Sequence, residues 1–133
     1  MAIWLKLIEN NSGNGDILPF HYYDIMHNNT PVGKISLRFG NNFHSYYNGH
    51  VGFEVYPAHR GCNFAYEACV LVLEIAKEHG IDSLYLTCAQ SNKASRRIFE
   101  KLGADYVETA AIPQECFFYR NGIEDYAIYS KRH

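Results

Sequence analysis

The chain has 133 residues, 47% of them of apolar type, so it has the length of one ordinary domain and can bury a hydrophobic core. Its formal net charge of −2, without a dense run of Lys or Arg, argues against a nucleic-acid partner. No stretch approaches the roughly 20 apolar residues of a membrane span, and the N-terminal segment lacks the pattern of a signal peptide. We therefore expect one cytoplasmic domain over residues 1–133, with no membrane partner.

The potential metal ligands are scattered along the chain. The four cysteines lie apart at positions 62, 69, 88 and 116, without Cys-x-x-Cys spacing. We interpret them as free thiols, because a domain of this length needs no disulfide and a reducing compartment would keep them reduced. The seven histidines form no His-x-x-x-His pattern. The sequence therefore predicts no metal site.

The N-terminal part of the chain reads as strands and turns. Turn residues over Asn10–Asp16 separate a short apolar segment from the rest of the chain. Alternating apolar residues predict strands over Phe20–Met26 and Val32–Phe39, joined as an antiparallel hairpin. The polar, Asn-rich segment Gly40–Gly49 is predicted to be a loop.

The middle of the chain alternates strands and helices. Val51–Val55 is predicted to be a strand that ends at Pro57, since proline cannot donate to a ladder. Apolar residues at helical spacing predict a largely buried helix over Asn63–Glu78. A strand over Ser83–Ala89 and a helix over Asn92–Leu102 are predicted to follow.

The C-terminal part is predicted to be extended. Asp105–Ile112 and Glu115–Arg120 have strand-like composition, and Asn121-Gly122 predicts a hairpin turn into a last strand with alternation over 125–130. The predicted order is therefore β-β-β-α-β-α-β-β. Antiparallel hairpins together with one β-α-β crossover indicate an α/β (α+β) domain with a mixed, mostly antiparallel central sheet.

The segment from Val55 to Ala68 has the features of a phosphate-binding turn. A strand ends, a loop containing Gly61 follows, and a helix begins directly. The free N–H groups and positive dipole of a helix N-terminus attract a phosphate, and small residues at Gly61 and Ala65 allow a close approach. His59 and Arg60 add positive character. On this segment alone, a plain strand-to-helix turn explains the pattern equally well.

A second segment favours the functional interpretation. Arg60-Gly-Cys-Asn-Phe-Ala65 is followed by a helix, a strand, and then Asn92, Ser95 and the run Glu100-Lys-Leu-Gly103. From about residue 20 to the end, the chain resembles the GNAT (Gcn5-related N-acetyltransferase) superfamily, and most of all its ribosomal-protein N-terminal acetyltransferase branch. The resemblance implies helices on both faces of the sheet. Asn63 departs from the usual glycine, and the acceptor-side region at the N-terminus is shortened.

The resemblance implies an acetyltransferase that uses acetyl-coenzyme A and no metal, and moves the acetyl group to an amine by direct attack in a ternary complex. The strand of Val55 splays from its neighbour to admit the pantetheine arm, and the Val55 N–H points toward the thioester carbonyl. The cofactor-binding residues that it implies are Phe53, Val55, Arg60, Gly61, Cys62, Asn63, Phe64, Ala65, Tyr66, Asn92 and Ser95.

The catalytic groups are less clearly marked. Phe99 stands where many family members carry a proton-donating tyrosine, so Ser95 or a water is expected to protonate the thiolate. We predict Glu54 as the general base, acting through water. The alternatives are a solvated strand carboxylate and a base role for His50. A covalent route through Cys88 or Cys62 is not expected, because no adjacent base is evident.

The sequence leaves the acetyl acceptor and the oligomeric state undetermined. The acceptor is expected to be a small-molecule amine or a protein N-terminus, and a homodimer is possible. An aromatic cluster either packs the sheet or lines an acceptor cleft or dimer face: Tyr46, Tyr47, Tyr56 and Phe117-Phe118-Tyr119. The competing functions are a non-catalytic acyl-coenzyme A binding or sensor domain, and an unrelated α/β domain that binds another phosphorylated ligand.

Overall fold

The computed structural model describes residues 3–132, which form strands and helices in an alternating order. The strands are β1 (Trp4–Asn11), β2 (Phe20–His27), β3 (Thr30–Arg38), β4 (Val51–Val55), β5 (Ser83–Ala89), β6 (Asp105–Ala110) and β7 (Tyr126–Arg132). The helices are α1 (Phe43–Asn48), α2 (Phe64–Glu78) and α3 (Lys93–Lys101), with a 3₁₀ turn over Pro57–His59. Strands pair in the orders β1-β2-β3-β4 and β5-β7-β6, with every ladder antiparallel.

The core lies between β2, β3 and the buried face of α2. The predicted hairpin of β2 and β3 is confirmed, with Tyr23 opposite Ile35. One face of β3 buries Ile35 and Leu37 completely or nearly so, and α2 covers it with Ala68 and Val72. Because each large aliphatic side chain buried this way contributes roughly 1.5–3 kcal/mol, this contact anchors α2 to the sheet.

The predicted crossover joins the two sheets. β4, α2 and β5 follow one another, yet β4 and β5 belong to different sheets. They meet where the His50 N–H donates to the Tyr85 carbonyl at 2.9 Å and the Tyr85 N–H donates to His50 Nδ1 at 2.9 Å. We call these two bonds the His50–Tyr85 clasp. The α+β class is confirmed, and beyond the clasp β4 and β5 do not pair.

The expectation that Gly40–Gly49 is a loop is wrong, because α1 forms within it. Asn42 caps the helix: its side chain accepts from the Ser45 N–H, and Ser45 Oγ accepts from the Asn42 N–H. This reciprocal pair is a capping box made with Asn and Ser instead of the usual Ser/Thr and Glu. It satisfies the helix start despite the polar composition of the segment.

The predicted strand over Glu115–Arg120 and its hairpin at Asn121-Gly122 are wrong as well. The segment forms successive turns, closed by bonds such as Tyr119 N–H to the Cys116 carbonyl at 2.9 Å. The physical reason is that β7 has no free edge, since β5 and β6 pair with it on its two sides. A strand at 115–120 would have no partner there.

The N-terminal apolar segment is β1, which pairs with β2 at the edge of its sheet. Residues 12–19 join the two strands without a helix. All four cysteines are free. Within residues 3–132, no helix is both long and apolar enough to cross a membrane, and no cluster of His, Cys, Asp or Glu has the geometry of a metal site.

Candidate functional site

A cleft of about 470 Å³ lies where the end of β4, the loop before α2 and the start of α3 converge. Every predicted site residue except Cys62 lines it, and His59, Ala94 and Ile98 complete its walls. Cys62 is exposed in the loop beside it, so its predicted contact is not supported by its position. The sequence therefore identified residues, separated by up to about forty positions, that the fold brings together; their roles stay predictions.

The backbone of β4 presents hydrogen-bonding groups to this cleft. The Tyr56 N–H donates to the Val32 carbonyl and the Arg38 N–H donates to the His50 carbonyl. In an antiparallel ladder, bonded pairs recur at every second residue, so the even-numbered residues of β4 bond to β3. The N–H and C=O groups of Phe53 and Val55 therefore point away from β3, into the gap beside β5.

The backbone of β5 faces the same gap from the other side. The Gln90 N–H donates to the Asp125 carbonyl at 2.9 Å. Because bonded pairs recur at every second residue, the backbone groups of the even-numbered residues of β5 bond to β7. Thr87 and Ala89 consequently turn their backbone groups toward β4. The gap is thus bordered by two strand edges and closed at one end by the His50–Tyr85 clasp. An extended chain can enter it and bond like an additional strand.

The N-terminus of α2 is open to the cleft. Asn63 precedes the helix with a φ of 66° and makes no side-chain cap. The N–H groups of Phe64, Ala65 and Tyr66 belong to the first turn and have no carbonyl partner within the helix. Together with the helix dipole, these donors form an anion site. Asparagine adopts this left-handed backbone conformation more readily than most residues, which accounts for its presence where the family usually has glycine.

The loop before α2 is fixed by Gly61 and Arg60. Gly61 has a φ of 88°, which side chains other than hydrogen adopt only with strain. Arg60 is exposed, and its Nε donates to the Val55 carbonyl at 3.0 Å. Arg60 therefore ties the loop to the end of β4 and keeps a cation at the mouth of the cleft.

Asn92 and Ser95 lie together at the start of α3. Asn92 caps the helix, with Oδ1 accepting from the Ser95 N–H at 3.1 Å. Among the described residues, neither Asn92 Nδ2 nor Ser95 Oγ has a hydrogen-bond partner, and both residues line the cleft. Two polar groups are therefore available on the wall opposite β4.

The predicted base, Glu54, is exposed at the rim of the cleft. It is opposite Lys34 in the ladder, on the sheet face away from Phe53 and Val55. Phe99 is buried in the core at 1% exposure, with its ring 6.3 Å from that of Phe53. The position of the usual tyrosine therefore has neither a hydroxyl nor access to solvent.

His50 is unsuited to the alternative role of base. It is 3% exposed, so it is not a surface residue. Its Nε2 bonds the Gly40 carbonyl at 2.8 Å and its Nδ1 accepts from the Tyr85 N–H, which occupies both ring nitrogens. Burial is the main cause that lowers the pKa of His50. The ring is a neutral structural element of the clasp.

The thiols give no support to a covalent route. Cys88 is buried in β5, and burial first of all raises its pKa to about 11. A thiol of that pKa is almost entirely protonated near neutral pH, whereas the thiolate is the nucleophile. Cys62 lies outside the cleft lining. The expectation that Cys88 is a packed strand thiol and Cys62 a loop thiol agrees with both positions.

The structure also contains a pocket that the sequence did not reveal. It has a volume of about 230 Å³ and lies on the sheet face of Ser36 and Arg38, the face opposite α2. Its walls come from the ends of β2 and β3, from α1 and from Phe117. We call it the Arg38 pocket. An arginine at the end of the predicted Val32–Phe39 strand, between Leu37 and Phe39, was its one sequence signal.

The aromatic cluster divides between several places. Phe117 lines the Arg38 pocket. Tyr46 packs on Tyr85 at 5.0 Å, and its hydroxyl donates to Glu108. Burial, followed by the Glu108 interaction, raises the pKa of Tyr46 to about 12, so this phenol stays protonated near neutral pH. Tyr46 is thus a packing residue of α1.

The fold and the cleft define an α+β domain with an open helix N-terminus beside splayed strands, and comparison with known proteins gives its family. Residues 2–105 match the family model described as acetyltransferase (GNAT) domain. The chain belongs to this family. The sequence resemblance was expected to start at about residue 20, but the match starts at residue 2 and therefore includes β1. The match ends at Asp105, the first residue of β6.

Solved structures of acetyltransferases share the fold. The microcin C7 self-immunity acetyltransferase MccE superposes with a TM-score of 0.67 at 18% identity, over 86% of this chain and 61% of that one. RimL, a ribosomal L7/L12 alpha-N-protein acetyltransferase, superposes with a TM-score of 0.68 at 14% identity, over 86% of this chain and 61% of RimL. The ribosomal-protein-S5-alanine acetyltransferase from Vibrio fischeri superposes with a TM-score of 0.68 at 20% identity, over 85% of this chain and 61% of that one.

This chain thus spans about three fifths of the length of these structures. At such identities the similarity shows the fold. Comparison with curated proteins gave no match.

Proposed function

We propose that this chain binds acetyl-coenzyme A in the cleft between β4 and β5 and transfers the acetyl group to an amine. The observation that carries the proposal is the convergence of two sets of unpaired backbone groups: the Phe53 N–H and C=O with the Val55 N–H on β4, and the N–H groups of the first turn of α2. One set suits an extended amide-containing arm and the other a pyrophosphate. The structure of MccE was determined with acetyl-CoA and AMP, and one structure of RimL with coenzyme A.

Each part of the cleft has a role in this proposal. The N–H groups of Phe64 to Tyr66 donate to the pyrophosphate, with Arg60 adding charge at the mouth. The pantetheine amides bond the free groups of β4, and Asn92 Nδ2 donates to the same arm. Gly61 keeps side-chain atoms away from the phosphate site.

The reaction is direct attack in a ternary complex. The amine nitrogen attacks the thioester carbonyl carbon, a C–N bond forms, and the C–S bond breaks to release the coenzyme as a thiolate. The Val55 N–H, which points into the gap, stabilises the charge that develops on the carbonyl oxygen. Glu54, through water, takes the proton that the amine loses, and Ser95 or a water protonates the thiolate.

The absence of an acyl-enzyme step follows from the thiols. Cys88 is protonated and packed, and Cys62 does not line the cleft. No hydroxyl in the described part of the cleft has a base within hydrogen-bond distance, as covalent catalysis would need. We further propose that the protein works in the cytoplasm as a single domain.

Two measurements test the proposal in sequence. Calorimetric titration with acetyl-coenzyme A, beside dephospho-coenzyme A and ATP, should show saturable binding that ATP does not reproduce. Thiol release should then depend on added amine. A folded protein that binds no acetyl-coenzyme A contradicts the whole proposal. Tight binding without thiol release, across amino acids, polyamines, amino sugars and peptide N-termini, would instead indicate a non-catalytic acyl-coenzyme A sensor.

A further inference from the structure

The Arg38 pocket contains a guanidinium whose charge has no counter-ion. Arg38 is half-buried, and its Nη1 donates to the Gly49 carbonyl at 3.0 Å. Within residues 3–132, no carboxylate lies within ion-pair distance of Arg38, and its other N–H groups have no acceptor. Burial lowers the pKa of this guanidinium, without a neighbouring acid to offset the effect.

A charge in that position is costly unless something pairs with it. Removing an ion from water without a partner is strongly unfavourable, and buried charges are normally paired. Arg38 is held in place by the strand, since Gly52 leaves space for it: a Cβ at Gly52 would lie 3.7 Å from Arg38 Nη2 and 3.2 Å from Ser36 Oγ. The remaining edge of the guanidinium presents the fork that binds a carboxylate with two parallel hydrogen bonds.

The pocket and the predicted base lie on the same face of the sheet. Ser36 is opposite Gly52 in the ladder, and Lys34 is opposite Glu54. Side chains alternate along strands, so Ser36, Arg38 and Glu54 project from one face. Arg38 lies against Gly52, two residues from Glu54, which is about 7 Å along a strand. An acceptor in the pocket can therefore reach Glu54 and the gap between β4 and β5.

The other lining residues limit what the pocket accepts. Its volume of about 230 Å³ is below the roughly 300–1,000 Å³ typical of drug-sized ligand sites, so the occupant is small. Ile17, Leu18 and Phe117 make much of the wall apolar. The lining also contains Asp16, whose side chain is 79% exposed, and His44, whose Nε2 lies 3.4 Å from Asp16 Oδ2. These two face each other and leave Arg38 as the free charge.

We propose that the Arg38 pocket binds the acetyl acceptor, and that this acceptor is a small amine carrying a carboxylate, which pairs with Arg38 while the amine faces Glu54. The inference rests on the proposed function and adds the substrate class. A carboxylate suits the site better than a phosphate, because one guanidinium neutralises one charge and a phosphate dianion calls for a second cation.

The test compares matched acceptors on the unaltered protein. β-Alanine, 4-aminobutanoate and 5-aminopentanoate are compared with their carboxamides, which keep the amine and remove the charge. 2-Aminoethylphosphonate is the phosphate-type arm, and spermidine is the control without an acidic group. Thiol release is expected to give kcat/KM at least about tenfold higher for one or more of the acids than for the amide, consistent with a charge-assisted bidentate contact. Phosphonate is expected to be poorer than carboxylate.

Variants of Arg38 test whether this residue causes the preference for acids over their carboxamides. Arg38→Met is expected to abolish the preference for acid over amide while the Kd for acetyl-coenzyme A stays within about twofold. Arg38→Lys keeps the positive charge but lacks the paired N–H donors of the guanidinium, so it should keep part of the preference for acid over amide. If Arg38→Met does not fold, the ¹⁵N-labelled Arg38 Nε–H resonance of the parent protein replaces it, and should shift with the acids and not with the amides.

The outcomes separate the two proposals. Failure to bind acetyl-coenzyme A overturns the proposed function and this inference with it. Binding of the coenzyme with equal use of acids and amides, a preference for spermidine or phosphonate, or an Arg38 resonance unmoved by every acid overturns the inference alone. An acid preference that persists in Arg38→Met also contradicts it.

Discussion

The cleft lies at the end of β4, whereas the Arg38 pocket lies on a sheet face formed by β2 and β3, and the two regions are built differently. The cleft presents mainly backbone groups: the N–H and C=O of Phe53 and the N–H of Val55 on β4, and the N–H groups of the first turn of α2. The Arg38 pocket presents side chains, with one guanidinium among apolar walls contributed by loops and by α1. Backbone groups are independent of most substitutions, whereas side chains change with each one.

This difference suggests a division of labour. A cosubstrate that is the same for every member of a family can be held by backbone geometry, which requires few specific residue types. The acceptor must be discriminated from other amines, and in our proposal the charged side chain of Arg38 in a small pocket provides that discrimination. Substitutions in the cleft and in the Arg38 pocket should accordingly have separable effects on binding of the coenzyme and on use of the acceptor.

The largest effect is expected at Glu54, which lies between the two regions. Glu54→Gln should lower kcat by about 100-fold or more, the usual range for loss of a general base, and leave the Kd for acetyl-coenzyme A unchanged. Asp24→Asn is the matched control, because Asp24 belongs to the same cross-strand row, opposite Lys34, and lies outside the cleft. Steady-state thiol release measures both. Equal activity of Glu54→Gln and wild type would remove Glu54 from the base role.

The next effect concerns the loop before α2. Asn63→Val places a β-branched residue at a φ of 66°, which costs on the order of 1–3 kcal/mol, so we expect roughly 5- to 100-fold weaker coenzyme binding. Asn63→Gly removes the strain and should bind at least as tightly as wild type. Gly61→Val should resemble Asn63→Val, through strain alone, since a Cβ at Gly61 meets no described atom within 4 Å. Calorimetry measures each Kd; unchanged affinity in folded Asn63→Val would contradict the phosphate site.

Substitutions of two glycines, Gly33 and Gly52, should affect coenzyme binding and acceptor use separately. A Cβ at Gly33 would overlap the Glu54 carbonyl oxygen, so Gly33→Ala should displace β4 beside Val55, lower the melting temperature and weaken coenzyme binding several-fold. A Cβ at Gly52 would instead press on Ser36 Oγ at 3.2 Å. Gly52→Ala should raise the KM for the acceptor a few-fold at unchanged coenzyme affinity. The same loss in both variants would show that the regions are not separable.

The smallest effect is a pH dependence of stability from the clasp. The pKa of His50 is lowered, mainly by burial, so the unfolded chain binds a proton more readily than the folded one. The stabilisation is complete above the unfolded value of 6.5 and declines as pH falls below it. Urea unfolding at pH 7.5 and 5.5 should show this decline, and His50→Asn should make it shallower. The pKa of His21 is lowered too, chiefly by burial, so some slope should remain in the variant.

The cleft was predictable from the sequence because its parts are local. Gly61 and Asn63 mark the loop by residue type, Asn92 marks a helix start, and the periodicity of the flanking segments identifies the strands and helices. The crossover between β4 and β5 then brings the segments together. Cys62, which is exposed in the loop, is the one predicted site residue that does not line the cleft.

The Arg38 pocket was not predictable for the opposite reason. It depends on α1, whose Asn42–Ser45 capping box is an uncommon variant, and on the turns that contain Phe117, which composition indicated as a strand. Its last requirement, that no carboxylate of residues 3–132 lies within ion-pair distance of Arg38, is a property of the tertiary structure. His50 was likewise uninformative as a sequence position, because its two hydrogen bonds join segments far apart in the chain.

The most direct test of the central claim is a backbone amide NMR titration of the protein with acetyl-coenzyme A. The claim is that the free groups of β4 and of the first turn of α2 hold the cosubstrate. The account predicts the largest shifts at the amides of Val55, Phe64, Ala65 and Tyr66, with small shifts in the Arg38 pocket. Shifts confined to other surfaces, or none at saturating concentrations, would contradict it.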